Sequence, residues 1–479
     1  MTAVTDPAAA TPPVQTGLPA LRPYQAEVAR AILQRVHGGA GGGGSLSVEI
    51  ARQGGKNEVS AQVELVALLT RAATGGAIVK CAPTAVPQAR ISLERLEAKA
   101  AEAGLGGLVR RHRGGVRCGQ ARAHFLSAEP GANVVGHTAS ILLEVDEAQD
   151  VSPEKFDRDF RPMAASTDAP VVYSGTPWNA GSLLARARAE HLEAERRDGR
   201  RRCFRYDWAA VAEHVPQYAR YVQGERARLG ERHPLFRTQY LLEEVDEAGR
   251  LFDAATLAQM QGKHPRQRAP RQGQRYVAGL DLGGPELAAA AGRGTADRDW
   301  TVLTIARMRF RDGRSAAAGL PSVEVVEHQA WRGEATESLV ATLADRLRRV
   351  WRVRRLAVDA TGVGAPVADL LAARLGRTVV EAVPFTAERK SRLGFALLAA
   401  AHSGRLRIYA GDGSREYAEC RRQLEWARAD YREAGRMRFD VDPARGHDDY
   451  LVSMALTVAA AGADGGPRVA RGARAGNGD

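Results

Sequence analysis

The segment 46–58 limits the possible folds most. An apolar run, LSVEI, passes directly into ARQGGKNE, and Val59, Val63, Val66 and Leu69 then follow on one helical stripe. Strand, Gly-rich turn, Lys and helix together place backbone N–H groups and a helix N-terminus around phosphate oxygens. Gly54 and Gly55 let the backbone approach closely, and Lys56 reaches the β- and γ-oxygens as a mobile cation. The phosphate-loop pattern is incomplete: Ile50 stands where the first Gly belongs and Asn57 where Ser or Thr does. The Asn57 oxygen can still ligate magnesium. Arg52, four residues before Lys56, can stabilise charge on a γ-phosphate. Taken alone, a Gly-Gly-Lys turn is also an ordinary loop.

Two further elements give the loop its meaning. Residues 141–147 read ILLEVDE, a buried strand ending in Asp146-Glu147, 90 residues after Lys56. Asp146 suits the Mg²⁺ shell, and Glu147 suits orienting or deprotonating the attacking water. After the next strand, Ser174-Gly175-Thr176 can sense the γ-phosphate, although the tetrapeptide ending in Pro177 is also a plain turn. Tyr24 can stack on a base and Gln25 can pair with an adenine edge, at what is otherwise the start of an amphipathic helix. Strands at 46–50, 77–82, 141–145 and 170–174 alternate with helical stretches. That alternation predicts a parallel sheet flanked by helices.

The basic, Pro-containing stretch 263–275 (KHPRQRAPRQGQR) reads as a linker or its edge. Beyond it the order changes. Strands at 276–282, 300–306 and 322–328 are followed by helix 336–350, strand 355–359, helix 363–375 and strand 378–384. Helix 388–402, a short strand near 405–409, helix 414–429 and a last helix over 447–462 complete the pattern. Three antiparallel strands and then alternating helices and strands predict a mixed-sheet, nuclease-type fold. Asp281 and Asp359 end strands, and Asp448-Asp449 open the last helix. Carboxylates so placed can meet around a pair of divalent ions, which prefer oxygen ligands and stabilise both oxygens of a phosphodiester displacement. Each Asp alone is a cap or turn residue. Asp297, Asp299 and His447 are weaker candidates.

Composition sets the outer bounds. At 479 residues, with 44% hydrophobic and 26% charged residues, the chain is globular and long enough for two domains. The four cysteines lie far apart without a CxxC pair, which argues against a zinc ribbon or disulfide framework and fits a reducing cytoplasm. No run approaches the roughly 18 apolar residues of a membrane span, and no secretory signal pattern opens the chain. The net charge of +12 suits a nucleic-acid partner. However, 62 of the 68 basic residues are arginines, a bias that GC-rich coding also produces. The six lysines are correspondingly informative.

Taken together, residues 20–462 resemble the large terminase subunit of tailed bacteriophages, which joins an additional-strand-type P-loop ATPase to an RNase H-like nuclease. The resemblance rests on Tyr24 and Gln25, on Arg52, Gly55 and Lys56, on Asp146 and Glu147, on Ser174, Gly175 and Thr176, and on Asp281, Asp359 and Asp448 or Asp449. The family's phosphate loop often lacks the first Gly and carries an Arg near its start, as here; Asn57 is a departure. The implied division is an arm at 1–18, an ATPase domain at 19–245, a linker at 246–275, a nuclease domain at 276–462 and a tail at 463–479. The implied activity is ATP-driven movement of double-stranded DNA into a procapsid, with metal-dependent cutting of concatemers. ATP and Mg²⁺ are the expected cofactors, with Mn²⁺ an option at the nuclease site. The expected partners are the portal, a small terminase subunit and further copies forming a ring, a pentamer by family precedent. The expected location is the host cytoplasm, with transient docking on the procapsid. The rival readings are a cellular helicase-like translocase with a repair or restriction nuclease, and a prophage remnant that binds without catalysis.

Overall fold

The apolar runs become strands close to where the sequence places them. The computed structural model describes residues 18–38, 44–112, 114–245, 248–283, 300–310, 319–362, 364–432, 435–442 and 445–464. Asp297, Asp299, residues 1–17 of the expected arm and the expected tail beyond 464 lie outside them. The chain divides into one unit of Met1–Pro216 with Thr238–Glu244, and a second of Gln217–Arg237 with Val245–Asp479.

The first unit is built on strands β1 (Ser45–Ile50), β2 (Gly76–Ala82), β3 (Val109–His112), β4 (Gly115–Cys118), β5 (Ala121–Ser127), β6 (Leu142–Val145), β7 (Val171–Gly175) and β8 (Cys203–Tyr206). They lie in the order β3-β4-β5-β2-β6-β7-β1-β8. From β5 to β8 the pairings are parallel, and β3-β4-β5 is an antiparallel edge. Helices α1 (Pro23–His37), α2 (Lys56–Thr70), α3 (Arg90–Glu102) and α4 (Leu183–Asp198) belong to this unit. The central strands are mostly apolar because both faces are buried, with Glu49, Lys80 and Glu144 as charged exceptions. β7 lies between β1 and β6, so the phosphate loop, Ser174–Thr176 and Asp146-Glu147 follow the carboxyl ends of three neighbouring parallel strands. That is where open α/β sheets bind ligands.

The second unit carries helix α5 (Pro216–Leu229, from Gln217 onward), strand β9 (Ala248–Arg250) and helix α6 (Ala254–Met260). The composition of 246–275 reads as a linker, yet β9 pairs with a later strand and the buried Leu251, Phe252, Leu257 and Met260 enter the core. Apolar anchors hold this segment in the unit despite its basic C-terminal half. The main sheet holds β10 (Arg275–Asp281), β11 (Thr301–Arg309), β12 (Ser322–Trp331), β13 (Arg355–Asp359), β14 (Val380–Val383) and β15 (Leu406–Ile408), in the order β14-β13-β10-β11-β12-β15. β10-β11-β12 is antiparallel, as expected, while β13 joins β10 in parallel. Helices α7 (Thr336–Asp345), α8 (Gly364–Leu375), α9 (Ala387–His402), α10 (Arg415–Trp426) and α11 (Asp449–Asp464) complete the unit. Helix 414–429 is shorter than the sequence suggests. The chain turns at Ala427 into β16 (Ala427–Arg432), which pairs with β17 (Arg436–Val441) and β9. Alternation there buries Ala427, Ala429, Met437, Phe439 and Val441 while arginines and aspartates occupy the other face. Period 2, which overrides helical propensity, is the signal for this hairpin.

Alternate residues of β10 enter two different cores: Val277 one, Tyr276, Ala278 and Leu280 the other. Gly279 falls on the face covered by α11, where a Cβ would come within 2.6 Å of the Thr457 Oγ1. Helix and strand therefore meet with no room for a side chain. Gly279→Val should destabilise the second unit by about 1–3 kcal/mol, the usual range for overpacking. Denaturant unfolding of both proteins checks this; equal midpoints would refute the close approach.

Candidate functional site

The phosphate loop is held in a conformation that its glycines permit. Gly55 adopts φ 91° and Gln53 φ 64°. A Cβ on Gly54 would lie 2.8 Å from the Ala51 carbonyl oxygen. Tyr24 and Gln25 are both buried and brace this loop. The Tyr24 hydroxyl donates to the Gly54 carbonyl at 2.7 Å, and Gln25 Nε2 donates to the carbonyls of Gly54 and Gly55 at 3.2 and 3.3 Å. Tyr24 packs on Tyr206 and His214. The Tyr24 hydroxyl and Gln25 Nε2 are thus turned to the loop backbone, while Gln25 Oε1 accepts from the Arg22 N–H at 2.9 Å. Arg52 is tied to the segment 238–244: its N–H donates to the Gln239 carbonyl at 2.8 Å and Nη1 to Gln239 Oε1 at 2.7 Å.

Beside the loop opens a cleft of about 620 Å³ lined by Arg52, Lys56, Asn57, Glu147 and Thr176, together with Gln88, Arg95, Gln149, Asp150 and Gln239. Lys56 Nζ lies 3.4 Å from Glu147 Oε1. Glu147 is held at φ 45°, a left-handed conformation uncommon for a residue with a side chain. Burial pushes its carboxyl up, but Lys56, Gln149 and Arg52 outweigh this and leave it below its ordinary value, hence ionised. Asp146 is buried, accepts from the Glu147 N–H at 3.1 Å and faces Ser174 Oγ at 3.5 Å and Ser92 Oγ at 3.4 Å.

Gln149, which sequence reasoning missed, joins these parts. Its Nε2 donates to Glu147 Oε2 at 2.8 Å and to Asp150 Oδ2 at 3.2 Å. Its Oε1 accepts from the Thr176 N–H at 3.2 Å. One amide thus links the acid at the end of β6 to the hydroxyl segment at the end of β7. An Asn or Gln three residues after a strand-end Asp is too common to stand out in one sequence. Arg95 of α3, also missed, lines the cleft; among 62 arginines nothing singled it out.

In the second unit, Asp281 and Asp359 end the neighbouring parallel strands β10 and β13, and Asp448-Asp449 stand at the start of α11. Burial first, then Asp449, Asp448 and Asp359, push the Asp281 carboxyl well above its ordinary value. Burial also raises Asp359, opposed by the Thr361 N–H, which donates to it at 2.8 Å. Asp449 Oδ2 accepts from the Trp300 N–H at 3.2 Å. Lys390 of α9 lies 3.7 Å from Asp448 Oδ2 and lowers Asp281 from the same position. It is the cation the sequence did not assign to this site, although its rarity as a lysine was a signal. His447 is half-buried beside Asp448. The mutual repulsion and all-oxygen donor set fit a hard divalent cation in kind. In the arrangement seen, no three Asp, Glu, His or Cys side chains among the described residues are gathered closely enough to hold a metal ion. No helix among the described residues is long and apolar enough to cross a membrane.

Neither a family profile nor a curated protein sequence matches this chain. Solved structures do. The large terminase from the thermophilic bacteriophage D6E, in complex with ADP, aligns at 12% identity and TM-score 0.54 over 91% of this chain and 98% of that one. A second crystal form of that protein aligns at 13% identity and TM-score 0.54 over 90% and 98%. The HK97 bacteriophage large terminase aligns at 17% identity over 93% and 95%, with TM-score 0.41. The D6E alignments show that the chain has the fold of that large terminase.

Asp150 offers a test of the cleft's electrostatics. Burial and then Glu147 push its carboxyl up to about 6, from 3.8. A carboxyl raised in the folded state stabilises below its unfolded value, and that stability is lost as pH rises through about 6. The parent should therefore lose stability relative to Asp150→Asn between about pH 4 and pH 6, with the gap constant above. Urea unfolding of both proteins across that range reads the difference; parallel curves would contradict it.

Proposed function

We propose that the chain is a phage terminase large subunit, which hydrolyses ATP to drive double-stranded DNA into a procapsid and cuts concatemeric DNA with its second unit. The observation that carries this reading is the Lys56–Glu147–Gln149–Thr176 chain of contacts at the ends of β1, β6 and β7, in a protein whose second unit sets Asp281 and Asp359 at neighbouring strand ends. The fold's likeness to an ADP-bound large terminase supports it.

In this mechanism the triphosphate lies over Gly54, Gly55 and the N-terminus of α2. The γ-phosphate competes with Glu147 for Lys56, which leaves the ionised Glu147 to orient the attacking water and accept its proton. Asp146 and Asn57 would hold the magnesium that accompanies the nucleotide and neutralises its developing charge. Gln149 passes the state of Glu147 to Thr176, so loss of the γ-phosphate is felt at the end of β7. Arg52 and Arg95 add positive charge to the cleft.

In the second unit, Asp281, Asp359 and Asp448 or Asp449 would hold divalent ions, which supply Lewis acidity to the phosphodiester. Lys390 balances the surplus carboxylate charge and is placed to meet a phosphate. At the other ends of β10 and β13, Arg275 and the six arginines of residues 346–355 form a basic region. Such a region suits phosphate contacts with strong salt dependence. The portal, a small terminase subunit, a ring of copies and work in the host cytoplasm belong to this proposal. The antiparallel β10-β11-β12 core of the second unit disfavours the helicase-like alternative, which needs a second parallel nucleotide-binding sheet.

Two variants test the roles. Glu147→Gln should bind ATP with near-parental affinity and lose hydrolysis by on the order of 100-fold or more; parental turnover would remove Glu147 from the reaction. Asp359→Ala should abolish magnesium-dependent DNA cleavage while leaving DNA-stimulated ATP hydrolysis intact. Surviving cleavage would show that the carboxylate centre is misassigned.

A further inference from the structure

Beneath the nucleotide cleft lies a group of buried polar side chains that the reaction does not use. Lys56, Ser60 and Glu64 recur every fourth residue along α2, so they form one stripe facing the sheet. Lys80 of β2 and Glu144 of β6 lie directly opposite each other in the parallel pairing of those strands. Lys80 Nζ donates to Ser60 Oγ at 2.6 Å and to Glu64 Oε1 at 2.9 Å, and lies 3.7 Å from Glu144 Oε2. Ser60 Oγ in turn is 3.1 Å from both oxygens of Glu144. Lys80, Glu64 and Glu144 are 4%, 0% and 4% exposed, and the second oxygen of Glu64 has no hydrogen-bond partner. A lone buried charge is costly, so such a group persists only when its geometry is kept.

The placement of this group suggests its purpose. Its helix half is on α2, whose first residue is Lys56; its strand half is Lys80 on β2 and Glu144 on β6, the latter two residues before Asp146. We propose that Ser60, Glu64, Lys80 and Glu144 act as a positioning device that fixes the register of α2 over β6, and with it the Lys56–Glu147 contact. The proposal rests on the ATPase reading given above. The rest of α2's buried face is the aliphatic set Val59, Ala61, Val63, Leu65, Ala67 and Leu68, with Gln62, which donates to the Pro19 carbonyl at 2.9 Å. Contacts among aliphatic side chains have no direction, so small slides of a helix along a sheet cost them little. A slide of α2 breaks the Ser60 and Glu64 contacts at once and leaves Lys80 with only its longer, 3.7 Å contact to Glu144 inside the unit. The lock therefore acts on the distance that matters most for chemistry, between the phosphate-binding lysine and the water-orienting acid. Lys99 of α3, 3.0 Å from Glu58, ties another side of the same helix turn.

The test separates positioning from mere packing. Lys80→Met with Glu64→Leu replaces the closest ion pair by apolar groups of similar size, a change that buried pairs often tolerate, and burial pushes the Glu144 carboxyl far enough up for it to remain protonated. In the full-length protein the expected result is a melting temperature within a few degrees of the parent, a KM for ATP within about threefold, and a kcat lower by about tenfold or more. Such a split marks loss of an interaction felt only in the transition state. Ser60→Ala, a milder change, should lower kcat severalfold at parental stability; it serves if the double variant fails to fold. Lys80→Arg, which keeps the cation, should recover part of the lost kcat. Parental kcat in folded double variant or in Ser60→Ala would overturn the proposal and leave the ATPase reading standing. A parent that neither binds magnesium-ATP nor hydrolyses it would instead remove the ATPase reading, and this proposal with it.

Discussion

The 3.4 Å contact between Lys56 and Glu147 is the point on which the first unit depends. One partner begins α2 and the other follows β6, and β7 separates β6 from the strand that feeds the loop. The contact can form only if the sheet order, the loop conformation and the helix register are all right. Each is secured by a different kind of force. Apolar burial on both faces sets the sheet. Hydrogen bonds from Tyr24 and Gln25 to Gly54 and Gly55 set the loop. Ion pairs inside the unit set the helix over the strand. The left-handed backbone at Glu147 is the local strain that this support has to sustain.

The second unit handles charge in the opposite way. Where the first pairs its buried acids with Lys80 and Lys56, the second brings four carboxylates within range of one another and offers Lys390 as the nearby cation. Burial and like charge both oppose ionisation of Asp281. A site with surplus negative charge at the carboxyl ends of β10 and β13 is prepared for an added cation. A site whose acid is already balanced by Lys56 is prepared for an anion that competes for that lysine. The two chemistries proposed for the chain follow from this difference in charge balance.

Much of this was legible in the residues. Asp146-Glu147 ended an apolar run, Asp281 and Asp359 ended two others, and Gly54-Gly55-Lys56 stood between a strand and a helix. These are short-range signals, because a strand end, a turn and a helix start each declare themselves within a few residues. The hairpin β16-β17 was not seen because its first strand continues a helical pattern; only its pairing with Arg436–Val441 and with β9 decides its conformation. The same holds for 246–275, where a basic, Pro-containing composition outweighed the apolar pair Leu251-Phe252. Tyr24 and Gln25, read in the sequence as base-contacting candidates, brace the backbone of the loop at Gly54 and Gly55.

The sequence by itself determined which residues end strands and which open helices, and so which carboxylates, glycines and lysines are available for phosphate and metal chemistry. Backbone propensity and hydrophobic period are local properties, and a single chain displays them. Only the tertiary structure decided who meets whom. Glu64, Lys80 and Glu144 look like surface residues within their own segments, and Gln149 like any polar residue in a turn. Their roles exist because parallel pairing sets Lys80 opposite Glu144 and because α2 lays Ser60 and Glu64 over both. Coulomb energy and desolvation depend on distances between segments far apart in the chain, and those distances are fixed only when the sheet is ordered and the helix is packed upon it.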